Sequence, residues 1–156
     1  MRIDDAGRRT ALDGARRRRV YLFRHGSVDY FDASGKVVPD TDKVELSSLG
    51  RQQANLMHDL FADVSIDAAL CSGLPRTLET GRIILGKREV ELRPDPGFVE
   101  IRQRQGDAPA DFDVLADVAF SHFRAEDEEA RFLGGERYSD FYNRIVVAID
   151  NLLAVW

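Results

Sequence analysis

A single cysteine, Cys71, stands among 156 residues, so no internal disulfide can form and a disulfide-stapled secreted scaffold is excluded. No run of about 18 apolar residues occurs, and nothing near Met1 resembles a secretory leader, so no membrane span is expected and the default compartment is the cytoplasm. Internal repeats and low-complexity segments are also missing, which removes solenoids and fibres. With 44% hydrophobic and 31% charged residues the chain is not a disordered acidic tail either. A domain of this length can remove roughly two-thirds of its unfolded surface from water and needs no staple.

The formal net charge of −5 conceals an asymmetry. Seven arginines against three aspartates give the first twenty residues four surplus positive charges and leave nine net negative charges to the remainder. The basic stretch contains no interleaved aromatic residue for base stacking, so nucleic acid is not expected as a partner, and residues 1–18 read as a solvated, poorly ordered leader. In an acidic body, a phosphate site requires arginines gathered where the phosphate goes.

Ordered structure is expected from Arg19. Val20, Tyr21, Leu22 and Phe23 form a short continuous apolar run that reads as a strand buried on both faces and ends at Gly26. Ser27 to Glu45 is polar and aperiodic, a long surface loop in which Tyr30 and Lys36 could close over a ligand. Leu46-Ser47-Ser48-Leu49-Gly50 then opens a helix, capped by Ser47 or Ser48, with Leu49, Leu56, Met57, Leu60 and Phe61 at helical spacing. Ile66 to Cys71 reads as a second short buried strand, Pro75 as the first turn of a helix that Gly86 stops, and Glu89 to Leu92 as a further strand before the breaker Pro94-Asp95-Pro96-Gly97. Phe98 to Ile101 is too short to classify. Asp111 to Phe123 reads as helix and Glu126 to Glu129 as an exposed acidic stretch. From Glu136 onward Tyr138, Phe141, Ile145, Ile149, Leu152 and Trp156 recur at three- and four-residue spacing, an amphipathic helix without a stop signal. Strands alternating with helices indicate an α/β sheet.

Two sequences stand where such a sheet binds ligands, outside the carboxyl ends of its strands. Arg24-His25-Gly26 follows the first predicted strand; alone it is weak, since a histidine beside a strand end is more often structural. Ser72-Gly73-Leu74-Pro75-Arg76 follows the second and puts Arg76 and free backbone N–H groups at a helix N-terminus, an arrangement that suits a phosphate. Cys71 and Arg76 do not make a cysteine-phosphatase loop, because four residues separate them where five are needed. Cys71 therefore reads as a buried strand residue.

With Ser72, Arg76 and Thr80 after one strand, Glu100-Ile101 further on, and Gly134-Gly135-Glu136 opening the late helix, the chain from Val20 to about Trp156 resembles the histidine phosphatase superfamily. The resemblance implies a three-layer α/β/α sandwich of the phosphoglycerate-mutase-like kind. It implies that His25 is the nucleophile that becomes phosphohistidine, that Arg24 and Arg76 hold the phosphoryl oxygens with Ser72 in the phosphate-binding set, and that Glu100 protonates the leaving-group oxygen. The chemistry is coherent without a metal or other cofactor. A neutral imidazole attacks phosphorus without the repulsion a carboxylate meets, guanidinium groups match phosphate geometry, and a carboxylic acid with a raised pKa can supply the leaving proton.

Departures from the pattern are equally specific. Relatives carry a second His-Gly after a later strand, whose histidine helps hold the transferring phosphoryl group, and this chain stops before reaching one. By that resemblance residues 19–156 form a histidine phosphatase domain incomplete at its C-terminus, and the lost strand would leave a gap between the strand of His25 and that of Ser72. Either the chain is a fragment of a longer product or it is a short protein that has lost activity. The unstopped final helix and the intact early motifs favour the fragment. His58 and His122 fall in helical patterns and match no motif. Val28 replaces a common Thr or Ser, and the stretch from Glu100 to Gly106 is longer than usual. Arg102 and Arg104 read as solvated loop charges that could otherwise reach the far end of a substrate. The function expected is a phosphomonoesterase acting on a small phosphorylated molecule, with transfer to His25 and then to water. The alternatives are a phosphoglycerate mutase and a non-catalytic phosphate-binding module. A homodimer stays open.

Overall fold

The computed structural model describes residues 19–36, 38, 40–104 and 129–155. The expected leader over 1–18, the helix expected over 111–123 with His122, Gly106, most of the acidic 126–129 stretch and Trp156 lie outside these residues. Helix α1 spans Ser48–Leu60, strand β1 Ala69–Cys71, helix α2 Pro75–Leu85, strand β2 Leu92–Pro94 and helix α3 Tyr138–Val155. Short 3-10 turns occupy Thr41–Lys43, Pro96–Phe98 and Phe132–Gly134.

β1 and β2 are parallel, in the register Ala69↔Leu92 and Cys71↔Pro94, with α2 as the crossover between them. The unit is a βαβ motif, the element from which α/β sheets are built. α2 packs on α1 and covers both strands, while α3 lies against the 3-10 turn that follows β2. Gly81 of α2 sits so close to Leu92 that a Cβ there would meet the leucine methyl groups. Ala148 of α3 stands in the same relation to Gly97. Leu46, Ala54, Ile84, Leu85, Val99, Ala130 and Ala148 are buried.

Local signals account for the helices. Ser47 caps α1, its hydroxyl accepting the Gly50 N–H at 3.1 Å. Pro75 opens α2 where its missing N–H costs nothing, and Gly86 ends the helix at φ +59°. No helix among the described residues is long and apolar enough to cross a membrane.

Three expectations require correction. Residues 20–23 belong to no strand among the described residues, and Leu22 is 91% exposed. Among the described residues the run is covered on one side, where the Tyr21 and Phe23 rings meet Phe61 edge-on, each with centroids 5.0 Å apart. A continuous apolar run implies two buried faces, and here Phe61, the residue that ends α1, supplies contacts to one. Helix α1, in turn, buries Gly50 and Ala54, whereas Leu49, Leu56 and Leu60 are exposed. Close approach to α2 and to the loop after His25 selects small residues over large ones. The third strand lies at Leu92–Pro94, later than the alternation of Glu89 to Leu92 suggests, and it ends on the supposed breaker: Pro94 pairs with Cys71 at the last position, where no further donor is needed. The segment 27–45 is the expected loop, with local turns of its own. Val28 bridges Leu46, and Asp32 closes a tight turn by accepting from the N–H groups of Ser34 and Lys36.

Candidate active site

Arg24-His25-Gly26 is locked by glycine-to-glycine contact. A Cβ on Gly26 would run into the Gly50 carbonyl, and one on Gly50 into the Ser27 carbonyl, so this loop lies directly on the first turn of α1. The Gly26 N–H donates to Thr80 Oγ1 at 3.1 Å, and that hydroxyl donates to the Arg76 carbonyl at 2.7 Å. Thr80 is buried. The backbone after His25 and the first turn of α2 are thus joined through one hydroxyl group.

His25 is half-buried, and its Nδ1 lies 2.7 Å from the Gly26 carbonyl oxygen. A carbonyl only accepts, so Nδ1 carries the proton and the neutral ring keeps its lone pair at Nε2. Arg76 is 3% exposed. Its Nη1 donates to the Thr41 carbonyl at 2.8 Å and its Nη2 to the Glu100 carboxylate at 3.2 Å, whereas Nε is buried with no acceptor among the described residues. An unpaired buried N–H costs about 1–3 kcal/mol, so this guanidinium has unused capacity for an oxyanion.

Tyr30 borders the same place. The Arg76 guanidinium carbon lies 5.9 Å from the centre of its ring. Burial raises the pKa of the Tyr30 hydroxyl; Arg76 and Arg24 oppose the rise and Glu100 adds to it. Tyr30, Arg76, Glu100 and Arg24 therefore share one electrostatic neighbourhood, with Arg24 exposed and Glu100 58% exposed at its side chain. Ser72 is engaged differently: its Oγ is 3.0 Å from Thr77 Oγ1, which itself donates to the Leu74 carbonyl. It serves the start of α2, and no hydrogen bond joins it to the Arg76 guanidinium. Cys71 is a half-buried free thiol in β1. The side chains of Lys36, Arg102 and Arg104 are exposed.

A further arginine, Arg144 of α3, holds the segment of Glu100 from behind and was not singled out by motif. Its Nη1 donates to the carbonyls of Gly97 at 2.9 Å and Val99 at 2.6 Å, and its Nη2 to that of Glu100 at 3.2 Å. The available signal was a lone guanidinium in the apolar run from Phe141 to Ile149. Its partner Glu136 is eight residues away, beyond the three- or four-residue spacing at which helical pairs are read.

The chain as a whole has known counterparts. The family model of the histidine phosphatase superfamily (branch 1) matches residues 20–155. The chain belongs to this superfamily. Its fold is accordingly α/β of the phosphoglycerate-mutase-like kind. An Arabidopsis thaliana protein named "Probable 2-carboxy-D-arabinitol-1-phosphatase" is 33% identical over 84 residues, which are 54% of this chain and 17% of that protein. The adenosylcobalamin/alpha-ribazole phosphatase of Escherichia coli (strain K12) is 31% identical over 87 residues, 53% of this chain and 40% of that protein. The solved structure of a mycobacterial glucosyl-3-phosphoglycerate phosphatase in complex with inorganic phosphate is similar at a TM-score of 0.62 and 26% identity, over 83% of this chain and 60% of that one. The histidine phosphatase chain described here thus spans less than two-thirds of each of these proteins.

Proposed function

We propose that the protein is a phosphomonoesterase whose nucleophile is His25. The observation that carries this reading is the buried Arg76 guanidinium, held at two nitrogens and unpaired at the third, beside the carboxylate of Glu100. A phosphoryl oxygen completes its hydrogen bonding. Arg24, exposed at the edge of the same neighbourhood, adds a second cation.

In the first step the Nε2 lone pair of His25 attacks phosphorus and forms a P–N bond. The ester P–O bond breaks, its electron pair leaves on the alcohol oxygen, and Glu100, which must enter this step protonated, transfers its proton there. In the second step water attacks the phosphohistidine. The Glu100 carboxylate takes the water proton, and the P–N electron pair returns to Nε2 as inorganic phosphate forms. Fixed donors from Arg76 and Arg24 offset the charge that develops on the phosphoryl oxygens. The relatives are named for phosphate esters with different organic parts, which supports a small phosphate monoester as substrate without choosing among them.

The test combines intact-mass trapping of the phosphorylated protein with an assay for released phosphate. The expected result is a phosphoenzyme that turns over in the wild type and is absent in His25→Ala, whose turnover falls by ~10⁴-fold or more, as is usual for loss of a nucleophile. Binding of phosphate or vanadate without hydrolysis would instead identify a non-catalytic oxyanion module. Conversion of one phosphoglycerate isomer to another without free phosphate would identify a mutase.

A further inference from the structure

Glu100 stands on a segment with little regular structure of its own. After β2, the turn Pro96–Phe98 is capped by Asp95, whose carboxylate accepts the Gly97 N–H at 2.8 Å, and Val99 leaves it in an extended conformation. The one hydrogen bond the Glu100 carboxylate makes among the described residues is that with Arg76, and the side chain is largely exposed. Its own contacts do not fix its position. The backbone beneath it must.

That backbone converges on one side chain. Besides the three carbonyls at 97, 99 and 100, Arg144 donates to both carboxylate oxygens of Glu136, from Nε at 2.7 Å and from Nη2 at 2.9 Å. All five guanidinium N–H groups are thereby used. Glu136 continues the clasp on the far side of Glu100: its carboxylate accepts the Arg102 N–H at 3.1 Å, and its own N–H donates to the Arg102 carbonyl at 2.8 Å. A single ion pair therefore grips the chain before, at and after the proposed acid.

We infer that Arg144, oriented by Glu136, is a positioning residue that sets where the Glu100 carboxyl stands relative to Arg76 and hence to the leaving-group oxygen. The inference deepens the phosphomonoesterase reading and rests on it. A planar fork with five donors is needed, because three carbonyls and a carboxylate arrive from different directions. Lysine, with one nitrogen, cannot meet them all. Proton transfer is sensitive to such placement, since displacements of about 1 Å can cost on the order of 10²-fold.

A residue that only holds the fold lowers activity on every substrate alike, so the informative quantity is a ratio. We would measure kcat/KM for an alkyl phosphate and for p-nitrophenyl phosphate, whose leaving group needs little protonation, on the same preparation of the full chain. The folded fraction cancels. Arg144→Lys is expected to lower the alkyl-to-aryl ratio by about tenfold or more. Glu100→Gln should lower it at least as far, and the double variant should show no additional drop. If Arg144→Lys does not fold, Glu136→Gln, which keeps the shape of the clasp and weakens its charge, decides by the same ratio. An unchanged ratio in the clasp variants alongside a lowered ratio in Glu100→Gln overturns the inference and leaves the acid role standing. An unchanged ratio in Glu100→Gln overturns the acid role, and the positioning role with it.

Discussion

Two guanidinium groups meet at Glu100, one on its carboxylate and one on its carbonyl, and they are built in opposite ways. Arg144 has every N–H bonded, five acceptors in all, and lies against the Phe141 ring at 4.9 Å. Arg76 is more deeply buried, yet it has an unpaired Nε and shares its remaining contacts between a backbone carbonyl and an exposed carboxylate. Burial alone would rank Arg76 as the more structural of the two. Hydrogen-bond satisfaction reverses the ranking: a saturated guanidinium has nothing left for a ligand, whereas an unsaturated one carries a desolvation cost that a ligand can relieve.

The sharpest way to break this comparison is to remove Arg76. In Arg76→Met a chain of similar length replaces a buried cation whose desolvation is poorly compensated, so stability should change by less than about 1 kcal/mol or rise. Phosphate or vanadate affinity and turnover should fall by about 10²- to 10³-fold, as when a fixed donor to a developing oxyanion is lost. Denaturant unfolding read beside a vanadate titration tests both halves. A loss of several kcal/mol with ligand binding intact would make Arg76 the structural arginine.

The same contrast explains what the sequence could reveal. Caps and breakers are short-range, so Ser47, Pro75 and Gly86 mark the bounds of α1 and α2 from their neighbours alone. The candidate site residues stood out as motifs, and the loop of Arg24-His25-Gly26 is joined to the first turn of α2, which carries Arg76, through Thr80. Which face of α1 is buried was not legible, because the choice of Gly50 and Ala54 over the leucines depends on how closely α2 and the histidine loop approach. The apolar run at 20–23 misled for a related reason, since hydrophobicity reports what a strand can bury and not what lies opposite it. Arg144 escaped as well, because three of its five acceptors lie more than forty residues earlier in the chain.

The clasp side of the comparison has a signature in acid. The Arg144 N–H bonds hold the Glu136 carboxyl below its usual range; partial burial pushes the other way and is outweighed, and the Arg102 N–H adds to the lowering. A carboxyl whose pKa is lower folded than unfolded contributes stability that is complete above the unfolded value and is lost as pH falls through the folded one. Glu136→Gln should therefore be destabilised near neutrality by about 1.5–3 kcal/mol, the scale of hydrogen bonds to a charged group. The gap from wild type should close below roughly pH 4. Asp32 and Asp40 also have lowered pKa values, but both are present in wild type and variant and cancel in the difference. Urea midpoints across that range measure the gap. A gap independent of pH would mean that the clasp works through shape and not charge.

The smallest effect is expected at the histidine with no motif around it. His58 of α1 donates from Nδ1 to the Ile84 carbonyl at 3.0 Å, and Arg88 donates to the carbonyls of Ile84 and Leu85, both at 3.0 Å. Arg88 also reaches the Phe61 and Ala62 carbonyls after α1, so one arginine joins the C-terminal ends of both helices. The Ile84 carbonyl thus has a second donor when the imidazole is removed, and His58→Ala should cost about 1 kcal/mol or less. Turnover per folded molecule should be unchanged, because the ring belongs to the far end of α2 from Arg76. Thermal unfolding and activity, both normalised to the folded fraction, check this. A loss of turnover beyond the loss of folded protein would move His58 from the helix ends into the chemistry, and with it the division between a saturated scaffold and an unsaturated site.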